Sequence, residues 1–388
     1  MKTIALLYLG LLLMFGTMLA AQTPGPCLGV SGTAYVNWPQ FHSDVCHTGY
    51  NASELILSPT TVGNLALDWR RYIVNPGYYF VFSSPAVANG VVYVGSADFT
   101  VYALNAVNGN QQWTYTTGGP VFSSPAVANG VVYVGSIDFN VYALNAATGA
   151  KLWSYTTGSL VKSSPAVANG VVYVGSDDGN VYALNAATGA KLWSYTTGNA
   201  VESSPAVANG VMYVGSDDGN VYALNAATGA KLWSYATGST GYSSPAVANG
   251  VAYVGGGGNV YALDAATGAK LWSYTSGSDV ESSPAVANGV VYIGDDNSHV
   301  YALNASTGAE LWIYNAETWV QSSPAVANGV VYVGSDDSNL YALDATTGAK
   351  LWSYFTGNLV HSSPAVVNGV VYFGSFTGYL YAFHLPGK

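Results

Sequence analysis

The sequence predicts an all-β protein, an eight-bladed β-propeller built from four-stranded antiparallel blades. The first observation is a near-identical repeat that fills most of the 388 residues, with a step of forty residues and one step of thirty-nine. A fixed period in the forties, with short strands in each unit, is typical of propellers and related arrays. The second is that Gly, Asn or Asp interrupts every apolar run after the N-terminal segment, and no segment has helical periodicity.

Each repeat predicts four short strands separated by turns. In the third copy, residues 163–198, the predicted strands are 165–168, 171–175, 181–185 and 191–196. The first two are joined by Asn169-Gly170, a pair that favours positive φ at both positions and marks a tight hairpin. The second strand is apolar on both faces, as expected for a strand between neighbouring blades. The repeat therefore predicts one antiparallel blade.

The two ends of the repeat array predict how the ring closes. The eight Ser-Ser-Pro starts place their prolines at Pro85, Pro125, Pro165, Pro205, Pro245, Pro284, Pro324 and Pro364. The repeat tryptophans are Trp69, Trp113, Trp153, Trp193, Trp233, Trp272, Trp312 and Trp352. The two series are offset, so residues 67–73 form a lone fourth strand and 364–383 a three-strand unit. Together they complete one blade, which closes the ring and removes an open sheet edge.

The N-terminal region predicts export and a short lead-in. Lys2, the apolar run from Ile4 to Phe15, and small residues at Ala20 and Ala21 are typical of a signal peptide, here residues 1–21. An uncleaved anchor is the alternative. The lead-in is 22–62 and the propeller 63–385.

The chain has two cysteines, which predicts one disulfide between Cys27 and Cys46 if the protein is exported. His42 and His47 in the same segment raise the question of a metal site. Their spacing fits no zinc motif, so a structural role is expected and no metal site is predicted.

Composition excludes some partners. The net charge is −10, only 8% of residues are charged, and Arg70 and Arg71 are the only arginines. Nucleic acid needs clustered basic residues, and so does electrostatic docking to anionic lipid. We therefore expect a secreted or periplasmic monomer, without a transmembrane segment once the signal is removed. Its partner would be a protein or small-molecule ligand on the propeller face.

One motif carries a family resemblance. The segment from Ala183 to Trp193, ALNAATGAKLW, recurs in most blades, although Asn108 replaces the Thr in one copy. It resembles the tryptophan-docking motif of the pyrroloquinoline quinone (PQQ)-like propeller repeat family, and the likeness covers nearly all of residues 63–385. It implies that the eight repeat tryptophans pack between blades. Some family members are dehydrogenases that bind PQQ and Ca²⁺, whereas others are cofactor-free and bind partners, such as the periplasmic propeller of the outer-membrane protein assembly machinery. The adjacent cysteine pair and long insertions of the enzymes are absent from this sequence.

The position before each Ser-Ser-Pro varies while the surrounding repeat is almost fixed. We call these eight residues the mouth ring: Phe82, Phe122, Lys162, Glu202, Tyr242, Glu281, Gln321 and His361. They open the strand nearest the propeller axis, so they are predicted to line one mouth of the central channel. Convergent polar and aromatic groups suggest a binding site, whereas drift at an exposed loop position is the alternative.

The turn between the second and third strands also varies, and it is predicted to lie on the same face as the mouth ring. Asp177-Asp178 and similar pairs suggest Ca²⁺ ligands, but the full calcium-loop motif is absent. Ordinary hairpin chemistry is the alternative explanation. Gly255 to Gly258 replaces this turn in one blade and accounts for the thirty-nine-residue step.

The sequence therefore favours an exported, non-catalytic binding or scaffold module that acts through its channel-mouth face and uses no cofactor. No catalytic residue is assigned. The first alternative is a quinoprotein oxidoreductase that uses PQQ and Ca²⁺. The second is a cell-surface adhesion protein.

Overall fold

A computed structural model describes residues 37–74, 80–238 and 242–387 of the chain. These residues form eight β-sheets arranged as propeller blades, as predicted. The predicted signal peptide and Cys27 lie outside the described residues, so the disulfide to the buried Cys46 stays a prediction. Among the described residues, no helix combines the length and apolarity needed to span a membrane.

The blades are numbered 1 to 8 in the order of their inner strands. In the lead-in and the closing segment, β1 is Tyr50–Asn51, a 3₁₀ helix covers Val62–Asn64, and β2 is Ala66–Tyr72. Blades 1 to 4 contain β3 Ala86–Ala88, β4 Val91–Gly95, β5 Thr100–Asn105, β6 Gln111–Thr116, β7 Ala126–Ala128, β8 Val131–Gly135, β9 Asn140–Asn145, β10 Lys151–Thr156, β11 Ala166–Ala168, β12 Val171–Gly175, β13 Asn180–Asn185, β14 Lys191–Thr196, β15 Ala206–Ala208, β16 Val211–Ser216, β17 Asn220–Asn225 and β18 Lys231–Ala236. Blades 5 to 8 contain β19 Ala246–Ala248, β20 Val251–Gly256, β21 Asn259–Asp264, β22 Lys270–Thr275, β23 Ala285–Ala287, β24 Val290–Gly294, β25 His299–Asn304, β26 Glu310–Asn315, β27 Ala325–Ala327, β28 Val330–Gly334, β29 Asn339–Asp344, β30 Lys350–Phe355, β31 Ala365–Val367, β32 Val370–Gly374 and β33 Tyr379–His384.

Within each blade, the first hairpin is set by an Asn-Gly turn. In blade 3, Asn169 has φ 50° and Gly170 has φ 77°, and the same pair has positive φ in every blade. This is the type I′ geometry whose twist matches that of antiparallel strands. The turn sets the register of the inner pair, with Ala166 opposite Tyr173.

The turn between the second and third strands is one residue shorter in blade 5 than in the other blades. It is made by Gly257 and Gly258, both with positive φ.

The ring closes through the N-terminal strand, which confirms the prediction. Strand β2 pairs antiparallel with β33, so the sheet order of blade 8 is β2-β33-β32-β31. A register shift between Leu67 and Trp69 reproduces the irregularity found beside the tryptophan of the other outer strands. Strand β2 therefore supplies the fourth strand that the C-terminal segment lacks.

Neighbouring blades are joined by the repeat tryptophans. The indole N–H of Trp113 donates to the carbonyl of Ala146 in the next blade at 2.8 Å. A Cβ added to Gly149 would lie 2.6 Å from the Trp113 ring, so this turn must carry glycine. The indole N–H of every repeat tryptophan donates to a backbone carbonyl 2.8–3.2 Å away. The tryptophan and the Thr-Gly turn thus form one joint between two blades.

The lead-in does not form a separate unit, because residues 38–51 run inside the ring and close one end of the channel. We call these residues the plug. Every inner strand forms a hydrogen bond to the plug at its central valine. In blades 1 to 7 the valine N–H donates to a plug oxygen, and in blade 8 the valine carbonyl accepts a hydrogen bond from the plug. The pairs are Val87–Trp38, Val127–Pro39, Val167–Gln40, Val207–Val45, Val247–Cys46, Val286–Thr48, Val326–Gly49 and Val366–Asn51. The plug therefore bonds the inner edge of all eight blades.

Two histidines are buried inside the plug. His42 and His47 are 2% and 0% exposed. Phe41 stacks on the His42 ring with centroids 4.5 Å apart. Burial lowers the pKa of His42 to about 4, and burial together with His42 lowers that of His47 to about 3. Both rings are therefore neutral at pH 7 and lie packed inside the plug.

Closure of the ring by β2 can be tested by replacing this strand. Replacing Ala66–Tyr72 with a Gly-Ser linker of equal length should abolish cooperative unfolding, because it leaves β33 as an open edge and breaks the ring. Differential scanning calorimetry measures this loss. A synthetic peptide of residues 64–74 should restore the transition in a concentration-dependent way. A linker variant that melts like the wild type would contradict closure by β2.

Candidate binding site at the channel mouth

The first serine of each Ser-Ser-Pro start attaches the inner strand to its blade. In blade 3 the Oγ of Ser163 accepts the backbone N–H of Gly175 at 3.0 Å. A Cβ on Gly175 would lie 2.4 Å from the carbonyl oxygen of Val201, so the next blade's connection packs directly on this glycine. The same serine–glycine bond, 2.9–3.1 Å long, occurs in all eight blades. It fixes the backbone next to each mouth-ring residue.

The second serines form a closed circle of hydrogen bonds, which we call the serine ring. Each backbone N–H donates to the Oγ of the second serine in the next blade, at 2.9–3.1 Å. The order is Ser84, Ser124, Ser164, Ser204, Ser244, Ser283, Ser323, Ser363 and back to Ser84. The side chains are buried, so these bonds satisfy backbone donors that would otherwise be unpaired. The circle also spaces the eight mouth-ring residues evenly.

All eight mouth-ring residues line one cavity of about 540 Å³. Seven of the eight residues of the serine ring, all except Ser363, also line the cavity, and so does Phe41 of the plug. The plug bonds each inner strand at its central valine, five residues beyond the mouth-ring position in the chain. The cavity is therefore open at the mouth, with the plug as its floor.

One side of the mouth is aromatic. The ring centroid of Phe82 lies 5.0 Å from that of Phe122 and 4.6 Å from that of Phe376. Phe80 packs 5.2 Å from Phe376. Phe376 occupies the variable turn of blade 8, so that turn and the mouth ring lie on the same face, as predicted. These phenylalanines form an apolar wall.

The next part of the mouth is ionic. The Nζ of Lys162 lies 2.6 Å from Glu202 Oε1 and 3.0 Å from Asp177 Oδ2. Burial alone would lower the pKa of Lys162, but the hydrogen bonds to Glu202 and Asp177 raise it. The lysine is therefore a fixed cation whose charge is already neutralised. Burial, together with Glu202 and Asp177, raises the pKa of Asp217 to about 6.

Glu281 is the mouth-ring carboxylate without a cation. The Gln321 amide donates to its Oε2 at 2.7 Å, and no ion pair among the described residues includes Glu281. Burial, followed by the charges of Asp296 and Asp279, raises its pKa to about 7. Asp296 Oδ1 is buried without a hydrogen-bond partner among the described residues. This part of the mouth therefore holds unbalanced negative charge near neutral pH.

His361 joins the aromatic and acidic sides. Its Nε2 lies 2.7 Å from Asp336 Oδ1, and its ring centroid lies 5.4 Å from that of Phe82. Its ring is also 4.6 Å from Phe376. The histidine therefore fills the corner between the two walls.

The paired aspartates have two different environments. In blade 3, Asp178 Oδ2 accepts the Tyr182 hydroxyl at 2.6 Å and the Gly158 N–H at 2.6 Å, so it holds the turn together. Asp177 instead faces Lys162 at the mouth. In the part of the chain that the structure describes, no group of three or more His, Cys, Asp or Glu residues is placed to hold a metal ion. Hairpin chemistry therefore accounts for the second aspartate of the pair.

The mouth ring is visible in the sequence as a set of varying positions, whereas its surroundings are not. Phe41, the serine ring, Asp296 and Asp336 carry no sequence signal of their place in the site. A serine repeated in every blade gives no local indication that it forms a circle, and the nearness of Asp296 to Glu281 and of Asp336 to His361 depends on the folded structure.

Comparison with known proteins agrees with the architecture. The sequence model of the family described as "Outer membrane protein assembly factor BamB" matches residues 68–164, 140–282 and 256–387. No curated protein matches the sequence significantly.

Solved structures share the fold at low sequence identity. Quinohemoprotein alcohol dehydrogenase from Comamonas testosteroni is similar, with a TM-score of 0.80 and 19% identity over 91% of this chain and 81% of that one. A europium-containing methanol dehydrogenase has a TM-score of 0.77 and 17% identity, over 90% of this chain and 98% of that one. BamB from Moraxella catarrhalis has a TM-score of 0.70 and 20% identity, over 84% of this chain and 98% of that one. At these identities the likeness shows the propeller fold alone.

The serine ring can be tested by one substitution. Ser124→Ala removes the acceptor of the buried Ser84 N–H and should lower the free energy of unfolding by about 1–3 kcal/mol. Ser154→Ala on the exposed face of β10 is the matched control and should change it by less than about 0.5 kcal/mol. Denaturant titration measures both. Equal effects of the two variants would show that the circle adds nothing beyond a generic serine-to-alanine change.

Glu281 predicts a pH dependence. Because its pKa rises from 4.5 unfolded to about 7 folded, its contribution to stability is full below pH 4.5 and is lost as pH rises through 7. Glu281→Gln keeps an acceptor for Gln321 but cannot ionise. Relative to wild type, it should gain about 1 kcal/mol between pH 5 and pH 8, after allowance for solvent screening. Urea unfolding at the two pH values measures this gain.

Glu317→Gln provides the control for this experiment, since Glu317 is exposed. Its stability relative to wild type should stay the same at both pH values. A Glu281→Gln variant that follows the wild-type pH profile would contradict a raised pKa at Glu281.

Proposed function

The chain belongs to the propeller family whose sequence model is described as outer membrane protein assembly factor BamB, and from this premise we propose that it is an exported, non-catalytic binding module. The binding site is the cavity at the channel mouth. Solved structures that share the fold include both BamB and alcohol dehydrogenases, so the choice between binding and catalysis depends on the site.

One observation carries the proposal. The eight residues that precede Ser-Ser-Pro differ in chemistry from blade to blade, and all eight line a single cavity on a frame that is otherwise nearly uniform. The uniform serine ring holds their backbones, so side chains of different chemistry can occupy equivalent places without altering the fold.

Export fits the low charge density and the N-terminal pattern typical of a signal peptide. A periplasmic or secreted location would also allow the disulfide proposed between Cys27 and Cys46. A cell-surface adhesion role would require a protein partner at this same face, and the enclosed floor of the cavity favours a small ligand instead.

The residues of the cavity do not fit PQQ with Ca²⁺. PQQ is a polyanion, and the single lysine of the mouth ring is already bound by two carboxylates. Ca²⁺ needs about six to eight oxygen ligands, whereas no group of three or more His, Cys, Asp or Glu residues in the described ranges is placed to hold a metal ion. We therefore derive no catalytic step from this group.

The test compares wild type with a variant of the mouth ring, Lys162→Ala, Glu202→Ala, Glu281→Ala and His361→Ala combined. The variant should fold, with a Tm within a few degrees of wild type, because the mouth-ring position already accepts six different residue types. A fragment library is then screened against both proteins by ligand-observed NMR. Fragments that bind wild type should lose at least tenfold in affinity for the variant.

A library in which no fragment distinguishes the two proteins would contradict a binding site at the mouth. Addition of PQQ and Ca²⁺ to wild type should leave the Tm unchanged and give no dye-linked oxidation of alcohols or sugars. Turnover in that assay would establish the oxidoreductase instead.

A further inference from the structure

We propose that the mouth cavity binds a small organic cation, a primary amine that carries an aryl or alkyl group. The ammonium would be held by Glu281, and the apolar group would lie against Phe82 and Phe122. This inference rests on the proposed function and specifies the chemical class of its ligand.

The first argument is charge. Seven carboxylates lie at or beside the mouth, together with two basic side chains. The acids are Asp177, Glu202, Asp217, Asp279, Glu281, Asp296 and Asp336, and the bases are Lys162 and His361. Lys162 pairs with Asp177 and Glu202, and His361 Nε2 lies 2.7 Å from Asp336 Oδ1. Four acids, Asp217, Asp279, Glu281 and Asp296, have no cationic partner among the described residues.

The second argument is an unused set of acceptors. Gln321 donates to Oε2 of Glu281, and no hydrogen bond from a described residue reaches its Oε1. The charge of Asp296 acts on Glu281, and Asp296 Oδ1 has no hydrogen-bond partner in the described part of the chain. An ammonium group brings three N–H donors and a positive charge, so it can donate to Glu281 Oε1 and also offset the negative charge of Asp296.

The third argument is the opposite wall. Glu281 belongs to blade 6 and Phe122 to blade 2, four steps away in an eight-blade ring, so the two positions face each other across the channel. Phe82 is the next mouth-ring residue beside Phe122, and Phe41 lies on the floor. A ligand with its ammonium at Glu281 therefore directs its other end toward aromatic rings. Apolar burial and cation–π attraction both favour such a ligand.

The same arguments disfavour ligands of other charge. An anion would approach uncompensated carboxylates with no free cation to receive it. A neutral alcohol can use the aromatic wall and donate one hydrogen bond, but it leaves the excess charge unbalanced. The expected order of affinity is therefore amine, then alcohol, then carboxylate.

Isothermal titration of the full-length protein with three probes of related shape tests this order: 4-phenylbutylamine, 4-phenyl-1-butanol and 4-phenylbutyrate. At pH 8 the amine should bind at least tenfold more tightly than the alcohol, and the carboxylate should give no detectable heat. Glu281→Gln combined with Asp296→Asn should weaken amine binding at least tenfold and should weaken alcohol binding by a smaller factor.

The chain offers a matched control for the loss of two negative charges. Asp264→Asn combined with Asp344→Asn introduces the asparagine that the other blades carry at this turn, as at Asn185, and leaves the mouth untouched. This control should bind the amine like wild type. Circular dichroism and Tm values verify that both double variants are folded.

The outcomes separate the two proposals. Two results would overturn the cation assignment. One is equal affinity for the amine and the alcohol, and the other is a loss of amine affinity in the control variant as large as in the Glu281→Gln, Asp296→Asn variant. Absence of amine binding, alongside library fragments that need the mouth ring, would overturn the cation assignment and leave the binding module intact. Absence of any ligand that depends on the mouth ring would overturn the proposed function itself.

Discussion

The structure depends on closing a ring of eight nearly identical blades, and three circular sets of hydrogen bonds meet this constraint at different radii. The serine ring joins the inner strands at the mouth. The plug bonds the same strands at their central valines. The indole N–H groups join each outer strand to the next blade. Because each set is cyclic, a blade cannot shift outward without breaking bonds at several radii. The closing strand β2 matters more than its seven residues suggest, since it completes the outermost circle.

This rigidity explains how uniform and variable positions coexist. Ser163 and Ser164 are constrained on both sides, by Gly175 in their own blade and by Ser204 in the next. The preceding residue, Lys162, makes no backbone hydrogen bond on which closure of the ring of blades depends. The side chain at this position can therefore differ from blade to blade, and substitutions at the mouth ring alone can change the binding properties. The unbalanced carboxylates there reduce stability near neutral pH, as the raised pKa of Glu281 shows. The cyclic frame supplies enough stability to hold them in place.

Most of the fold could be predicted because each blade is specified by local chemistry that recurs in every copy. The Asn-Gly turns, the alternation of short strands and turns, and the offset between prolines and tryptophans are all visible in the sequence. The plug could not be predicted. Six of its eight bonds to the blades use backbone groups on both sides, and Trp38 or Val45 carries no sequence signal that it will meet Val87 or Val207. Backbone pairing over such separations depends on where the ring places the strands, which only the closed structure defines.

The candidate site was predictable in part for the same reason. Variation against a uniform repeat identifies Glu281 and Phe122 as members of one ring, and eight-fold symmetry places them opposite each other. The electrostatics could not be obtained this way. Whether Glu281 has a counter-ion depends on side-chain contacts across blade boundaries, such as Lys162 reaching Glu202 rather than remaining free. A count of charges gives seven acids against two bases, but only the pairing shows that the acids without a cationic partner include Glu281 and Asp296. The chemical class of the ligand therefore follows from how the charges are paired.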